Sequence, residues 1–171
     1  MHLKFAMMLF GHIGVSLLIA FILVRVIPKS KKYVNYWFIL LGSILPDLID
    51  KPIGRVFFAE SIANGRIYAH TLLFALILTM VSIYLFKYYK NSNMLCVSSA
   101  VFLHICEDGI WNDTQTLFWP FYGWNFPRKV IYGYWLNYLL HDIFNNPYLL
   151  ISEIIGIITI FFAIMRAKKI K

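Results

Sequence analysis

The chain contains several long apolar stretches without a charged side chain, and these limit its fold more than any other feature. Residues 5–24 and 67–86 are uncharged and have the length, about 20 residues, that a helix needs to cross a bilayer. Residues 33–49 and 91–106 are shorter apolar stretches, and residues 143–165 form a fifth that only Glu153 interrupts. These patterns predict an all-α, polytopic membrane protein with about five transmembrane helices and a single domain over residues 1–171.

The overall composition supports a membrane protein over a soluble one. Hydrophobic residues make up 60% of the chain and charged residues only 14%, whereas soluble domains carry about 25% charged residues. Cys96 and Cys106 lie ten residues apart in one predicted helix, a spacing at which their side chains do not reach each other. We therefore expect free thiols and no disulfide between them.

The basic residues predict how the helices are oriented. Of the 16 Lys and Arg residues, ten fall within 25–32, 87–90 and 166–171, the segments that follow the first, third and fifth predicted spans. Loops rich in Lys and Arg stay in the cytoplasm. We predict a multi-pass protein of the cell membrane with its N-terminus outside and its C-terminus in the cytoplasm. This distribution accounts for the net charge of +8, so membrane lipids, rather than nucleic acid, are the expected partners.

Under this topology, all eight acidic residues and all five histidines fall in the outer loops or the outer halves of the spans. Four different spans bring His or Asp to the same depth, and the last two residues of this set are spaced i, i+4 on one helical face. Imidazole and carboxylate ligands suit Zn²⁺ or a similar divalent ion. We predict an outward-facing site for one or two divalent ions, with Zn²⁺ as the expected metal and with the ligands His12, Asp47, His70, His104 and Asp108.

Other ionisable residues near this depth have more than one interpretation. A single histidine on an apolar helix is usually hydrogen-bonded in the core, and we expect this of His2 and His141. Asp50 and Glu107 flank predicted ligands, so they are either functional acids or residues that cap a helix or meet solvent. Glu153, inside an apolar span, is expected to pair with an outer arginine or to orient a ligand histidine.

The segment between the fourth and fifth spans, residues 114–135, is strongly aromatic. Aromatic side chains are enriched at the level of the lipid headgroups. The segment is therefore expected to be a membrane anchor or, alternatively, a lid or rim beside the metal site. Four basic residues on the same outer face are expected to clamp a phosphate or to contact lipid headgroups: Arg55, Arg66, Arg128 and Lys129.

Four sequence blocks, taken in order, resemble the YdjM-like family of membrane-bound metal-dependent hydrolases, also described as LexA-regulated. The blocks are the early His12, "GSILPDLID" at 42–50, "GRIYAHT" at 65–71 and "HICEDGIWNDTQTLFWPF" at 104–121. The second block has one extra residue before its second acid, and the third has Gly65 where the family pattern has a histidine.

The order of the predicted ligands is also similar to that of zinc-dependent phospholipase C and P1-type nucleases, which are all-helical and hydrolyse phosphodiesters. This resemblance implies that His12, Asp47, His70, His104 and Asp108 ligate metal, the same set that their depth indicates. The family resemblance further implies a hydrolytic activity.

These expectations converge on metal-assisted hydrolysis of a phosphoester at the outer membrane face, with a lipid headgroup among the candidate substrates. Asp50 or Glu107 would serve as the general base, and Arg66 would stabilise developing charge. A metal or proton transporter is the first alternative, although the cytoplasmic halves of the spans carry no acid or histidine. A non-catalytic, metal-stabilised membrane protein is the second.

Overall fold

The computed structural model describes residues 7–129, 141 and 143–168. These residues form helices and connecting turns without a β-strand, which confirms the all-α prediction. Single helical turns connect or flank the main helices at Pro28–Lys32, Ile53–Phe57, Tyr68–His70 and Ile110–Asn112. The helices are α1 (Leu9–Val26), α2 (Tyr36–Pro52), α3 (Leu72–Tyr89), α4 (Asn93–Glu107), the short α5 (Thr114–Leu117) and α6 (Pro147–Lys168).

Three helices within the described residues are long and apolar enough to cross a membrane: α1, α3 and the Pro147–Arg166 part of α6. Helix α2 has 17 residues and α4 has 15, fewer than the about 20 residues expected of a span. The length criterion therefore supports three of the five predicted spans. Large apolar side chains are exposed on the outer surfaces of the long helices, among them Met80 of α3 and Phe162 of α6.

Helix α3 begins five residues later than the apolar pattern indicates. Residues 68–70 form a separate turn, and α3 starts at Leu72 after Thr71, whose Oγ1 accepts a hydrogen bond from Phe74 N at 3.0 Å. A hydroxyl at this position satisfies one of the backbone N–H groups that the first turn of a helix leaves without a partner. The apolar residues before Thr71 are therefore part of the site rather than of the helix.

Close backbone contacts hold the helices in two tight pairs. A Cβ atom on Gly14 of α1 would lie 2.1 Å from Gly156 Cα of α6. A Cβ atom on Gly42 of α2 would lie 2.4 Å from Val97 O of α4. Small residues at helix contacts are common in membranes, where close packing replaces the hydrophobic effect between helices. Buried side chains of α1, α2 and α4 then form a shared core: Leu17, Ala20, Ile39, Cys96 and Ala100.

Glu153 joins α6 to the beginning of α1. Its Oε1 atom accepts hydrogen bonds from Met8 N and Gly11 N, each at 3.0 Å. These N–H groups belong to the N-cap and first turn of α1, which lack intrahelical acceptors. The buried carboxylate is thus bonded to backbone, a third arrangement beside the two expected from the sequence, which were an arginine partner or a histidine partner.

The helices alternate in direction, so chemically similar residues meet at one end of the bundle. The beginnings of α1, α3 and α6 lie beside the ends of α2 and α4, as shown by contacts of the buried His12, His70 and Glu153 with other helices. The predicted ligands lie at this end. The opposite helix ends carry basic residues: Arg25, Lys29, Lys31, Lys32, Lys87, Lys90 and Arg166.

Candidate metal centre

Four parts of the chain deliver the predicted ligands to one place. His12 lies in the second turn of α1, Asp47 near the end of α2, His70 in the turn before α3, and His104 near the end of α4. Asp108 follows α4 directly, so it lies one helical turn from His104. The three imidazoles and Asp108 are buried, whereas the Asp47 side chain is 11% exposed.

Four ligand atoms converge at the centre of this cluster, and we call them the tetrad: Asp47 Oδ1, His70 Nε2, His104 Nε2 and Asp108 Oδ2. His70 Nε2 lies 3.2 Å from His104 Nε2 and 3.4 Å from Asp108 Oδ2. Asp47 Oδ1 lies 3.8 Å from His70 Nε2 and 3.9 Å from His104 Nε2. Zinc bonds of about 2.0–2.1 Å in a tetrahedron place neighbouring ligand atoms about 3.3 Å apart. The separations of 3.2 and 3.4 Å around His70 Nε2 are close to this spacing, whereas those of Asp47 Oδ1 are longer. One ligand atom each of His70, His104 and Asp108 lies within 4.8 Å of the others.

Hydrogen bonds on the opposite side of the rings determine which nitrogen faces the centre. His104 Nδ1 donates to Ser43 O at 2.7 Å, and His70 Nδ1 donates to Asp50 Oδ2 at 2.7 Å. A carbonyl or an ionised carboxylate only accepts, so Nδ1 carries the proton in both rings. In the neutral imidazole, Nε2 then presents a lone pair to the centre.

The donor set fits a bound cation. Two Nε2 atoms lie 3.2 Å apart, and the Asp47 and Asp108 carboxylates add negative charge beside them. Among the described residues, the buried Asp108 Oδ1 also lacks a hydrogen-bond partner. A divalent ion among the tetrad atoms would accept both Nε2 lone pairs and offset the carboxylate charge. Imidazole with carboxylate is a ligand combination that zinc and several other transition metals share.

His12 stands beside the tetrad and faces the other oxygen of Asp108. Its Nε2 atom lies 3.4 Å from Asp108 Oδ1 and 3.1 Å from Met7 O, and its ring stacks on that of His104 with 3.8 Å between centroids. The two oxygens of Asp108 thus face two different groups of histidines. One ligand atom each of His12, Asp47 and His104 also falls within 4.8 Å of the others.

Arg66 contacts the tetrad through Asp108. Arg66 Nε lies 2.8 Å from Asp108 Oδ2, and its backbone N–H donates to Asn64 Oδ1 at 3.0 Å. Burial alone would raise the pKa of the Asp108 carboxyl, but the Arg66 guanidinium beside it is the main cause that holds that pKa well below its usual range. Asp108 is therefore ionised and ready to bind a cation at neutral pH.

The two acids that the sequence suggests as general bases lie behind the histidines. Asp50 bonds to His70 Nδ1, and Glu107 Oε2 bonds to His12 Nδ1 at 2.7 Å. Both carboxylates are therefore across an imidazole ring from the Nε2 atoms that face the centre. Within the described residues, Glu107 Oε1 has no hydrogen-bond partner.

A backbone carbonyl of α2 is the partner of His104 Nδ1. Pro46 lies in the same part of the helix and, because it lacks an N–H group, leaves the carbonyl of Gly42 without its helical donor. Ser43 is the next residue, and its carbonyl is the acceptor for His104 Nδ1. The sequence gives no sign of this contact, because any residue type has a backbone carbonyl. Next to it, Asp47 Oδ2 pairs with the exposed Lys51 one turn later at 2.5 Å.

The aromatic segment packs against the loop that leads to His70. The Tyr68 ring contacts the rings of Trp119 and Phe126, with centroids 5.3 and 5.0 Å away. Asn64 Nδ2 donates to Pro127 O at 2.8 Å, and Arg128 Nη2 donates to Glu60 O at 2.7 Å. This segment therefore covers one side of the candidate centre.

Two further expectations concern histidines outside this cluster. His141 is exposed rather than buried in the core, and its carbonyl accepts a hydrogen bond from Asn145 Nδ2 at 2.8 Å. His2 and the last part of the aromatic segment, 130–135, lie outside the described residues.

Comparison with known proteins identifies the family. The YdjM inner membrane protein family matches residues 7–170, nearly the whole chain. No curated protein and no solved structure matches. The family match includes every residue of the candidate centre and agrees with the resemblance and the membrane location inferred from the sequence. The chain belongs to the YdjM inner membrane protein family.

Proposed function

We propose that this protein is a membrane-bound, metal-dependent hydrolase that acts on a phosphoester. The observation that carries the proposal is the tetrad, in which two imidazoles anchored through Nδ1 present Nε2 atoms 3.2 Å apart beside two carboxylates. A bound divalent ion supplies Lewis-acid polarisation and a water nucleophile of lowered pKa. The fixed rings and carboxylates hold such an ion without reorganisation.

The candidate ligands would form two metal positions, one for a required ion and one for an optional second ion. Asp47, His70, His104 and Asp108 would hold the first ion, and Zn²⁺ is the proposed metal because imidazole and carboxylate are among its usual ligands and its sites are commonly four-coordinate. His12, Asp108 Oδ1 and the Met7 carbonyl would hold a second. Asp108 would contribute one oxygen to each position, since its two oxygens face different histidines.

Two side chains at the centre have the contacts needed for phosphoester chemistry. Arg66 already bonds a tetrad carboxylate and is 18% exposed, so its guanidinium is placed to stabilise charge that develops on a phosphoryl group. Asp47 is the more exposed of the two tetrad carboxylates, and its Oδ1 lies 3.8 and 3.9 Å from the two Nε2 atoms. Asp47 Oδ1 is a proposed ligand, and we assign the proton acceptor to neither Asp50 nor Glu107, since both lie behind the rings.

The surroundings of the centre favour a substrate from the lipid headgroup layer. Phe57, Phe121 and Trp124 are strongly exposed aromatic residues on the loops at this end of the bundle. Aromatic side chains of this kind settle at the membrane interface. A lipid phosphoester held in that layer would therefore meet the centre through its polar headgroup.

The proposed topology follows from the charges at the two ends of the bundle. The basic helix ends lie in the cytoplasm, the N-terminus outside, and the metal centre at the outer face. Helices α2 and α4 then complete five crossings as short, largely enclosed spans that pack against each other through Gly42. A site at one end of the bundle, rather than at its middle, favours an enzyme over a transporter.

Metal content is the test of this proposal. Purified wild-type protein is expected to contain at least one equivalent of a divalent metal, and the His104→Ala variant to lose most of it. The matched control is His141→Ala, which removes an exposed histidine away from the tetrad. If the wild-type protein contains no metal, or if His104→Ala and His141→Ala contain equal amounts, the centre is only a hydrogen-bonded network and the proposal is wrong.

Activity is measured on the same preparations with phospholipids, lipid phosphates and model phosphodiesters. Turnover that depends on metal and disappears in the His104→Ala variant is expected. If metal-loaded wild-type protein turns over none of these substrates, the phosphoesterase proposal is wrong and a non-catalytic metal centre remains.

A further inference from the structure

Each histidine of the candidate centre has an acceptor on its Nδ1 atom at the same distance. The acceptors are Glu107 Oε2 for His12, Asp50 Oδ2 for His70 and the Ser43 carbonyl for His104, each at 2.7 Å. Histidines that bind metal characteristically donate their other N–H group to a carboxylate or carbonyl, which fixes the ring and its tautomer. The three contacts therefore form one repeated arrangement rather than three separate hydrogen bonds.

Asp50 is fully engaged in this arrangement. Besides His70 Nδ1, its Oδ2 accepts from Ile67 N at 2.7 Å and from His70 N at 3.2 Å, and its Oδ1 accepts from Ala69 N at 3.0 Å. The side chain has no exposed surface. A general base must reach the proton that it abstracts. The Asp50 oxygens instead point to the loop that carries His70.

Glu107 has a simpler role and is the more informative of the two acids. Its Oε2 contact with His12 Nδ1 is a side-chain contact that holds no backbone segment in place. Replacing Glu107 by glutamine therefore changes the acceptor on one ring while leaving the turns of the site intact. The amide oxygen of glutamine still accepts from Nδ1, but as a neutral group it forms a weaker hydrogen bond than a carboxylate does.

We propose that Asp50 and Glu107 are positioning residues. Asp50 holds His70 with Nδ1 protonated, so that Nε2 is presented to the metal. Glu107 holds Nδ1 of His12 in the same way, while His12 Nε2 contacts the Met7 carbonyl at 3.1 Å until an ion takes the place of its proton. This inference rests on the proposed metal function and departs from the general-base role that the sequence suggests for these two acids. The Ser43 carbonyl orients His104 in the same way. Because it belongs to the backbone, no side-chain substitution removes it.

Metal affinity separates the two roles. The Glu107→Gln and Asp50→Asn variants are expected to bind Zn²⁺ about 10- to 100-fold more weakly than wild type, the usual effect of losing a partner behind a ligand histidine. The matched control is Glu60→Gln, an exposed acid outside the cluster, with unchanged affinity expected. If both variants bind Zn²⁺ within twofold of wild type, the proposal is wrong. If they bind Zn²⁺ this well but turn over substrate much more slowly, the two acids act as general bases instead.

The tautomer of each ring is a readout that a purely structural role would not change. Long-range proton–nitrogen spectra of ¹⁵N-histidine-labelled, Zn²⁺-loaded protein are expected to show the Nδ1–H tautomer for His12 and His70 in wild type. The same spectra of Glu107→Gln are expected to show an altered His12 ring and an unaltered His70 ring. An Nε2–H tautomer of either ring in wild type would overturn the proposal.

The outcomes also separate this inference from the proposed function. Wild-type protein that binds no Zn²⁺ contradicts the metal centre itself. Wild-type protein that binds Zn²⁺, with both amide variants binding it equally well, contradicts only the positioning roles. If Asp50→Asn fails to fold because the turn before α3 loses its anchor, Glu107→Gln still decides the question.

Discussion

Replacing Glu153 tests how the bundle places α1, and with it His12. The carboxylate of Glu153 accepts from Met8 N and Gly11 N, each at 3.0 Å, and is 8% exposed. In a Glu153→Leu variant both N–H groups lose their acceptor in a buried environment. Each buried, unsatisfied group costs about 1–3 kcal/mol, so we expect a loss of about 2–6 kcal/mol in the free energy of unfolding.

A Glu153→Gln variant separates the hydrogen bonds from the charge. The glutamine oxygen retains both acceptor contacts, and only the favourable interaction of a negative charge with the helix N-terminus is lost. That interaction contributes about 0.3–1 kcal/mol at exposed positions and up to about 2 kcal/mol when partly buried. The expected order of stability is therefore wild type, Glu153→Gln and then Glu153→Leu.

The assay is thermal unfolding of metal-free protein in detergent, followed by circular dichroism. A loss of about 2 kcal/mol corresponds to a shift of at least about 4 °C for a chain of this size. Metal affinity is measured in parallel, because His12 follows Gly11 directly and a displaced α1 moves its ring. A Leu variant as stable as wild type, or a Gln variant as unstable as the Leu variant, would refute the capping role.

Three further predictions address topology, packing and the metal. In a background without the native cysteines, Ser61→Cys is expected to react with an impermeant thiol reagent in intact spheroplasts while Ser30→Cys stays unreactive; the reverse result contradicts the outward-facing site. Gly42→Leu is expected to lower the free energy of unfolding by about 1–3 kcal/mol through overpacking against Val97 O, where a Cβ atom has only 2.4 Å, whereas the lipid-exposed Met80→Leu leaves it unchanged. Chelation of the bound ion is expected to lower the unfolding midpoint, since an ion at 100 times its Kd stabilises by about 2.7 kcal/mol; an unchanged midpoint would show that no ion contributes to stability.

The sequence predicts the long helices well because their signal is local. Long apolar stretches, interrupted only by Glu153 in the last of them, mark α1, α3 and α6, and the structure places a helix in each. The boundaries are less predictable. Residues 67–70 are apolar enough to extend α3, yet they form a turn held by Asp50, and hydrophobicity alone does not register that contact.

The membership of the candidate centre is also visible in the sequence, whereas the roles within it are not. Depth in the membrane and the i, i+4 spacing of His104 and Asp108 are enough to select residues that the structure brings together. Which ring nitrogen faces inward depends on partners such as the Ser43 carbonyl, for which no residue type is diagnostic. For that reason Asp50 resembles a free acid in the sequence and is a fully bonded carboxylate in the structure.

The motif "LPDLID" shows why two acids occur together at the end of an apolar helix. The Ser43 carbonyl, one turn before Asp47, accepts a hydrogen bond from His104 Nδ1 and orients that ring. Asp47 faces the centre, and Asp50, three residues later, turns to the loop and anchors His70. One helix end therefore contacts both central histidines while supplying a candidate ligand of its own, Asp47. The cost of two carboxylates near lipid is offset by N–H groups at Asp50 and, in the proposed function, by a cation at Asp47.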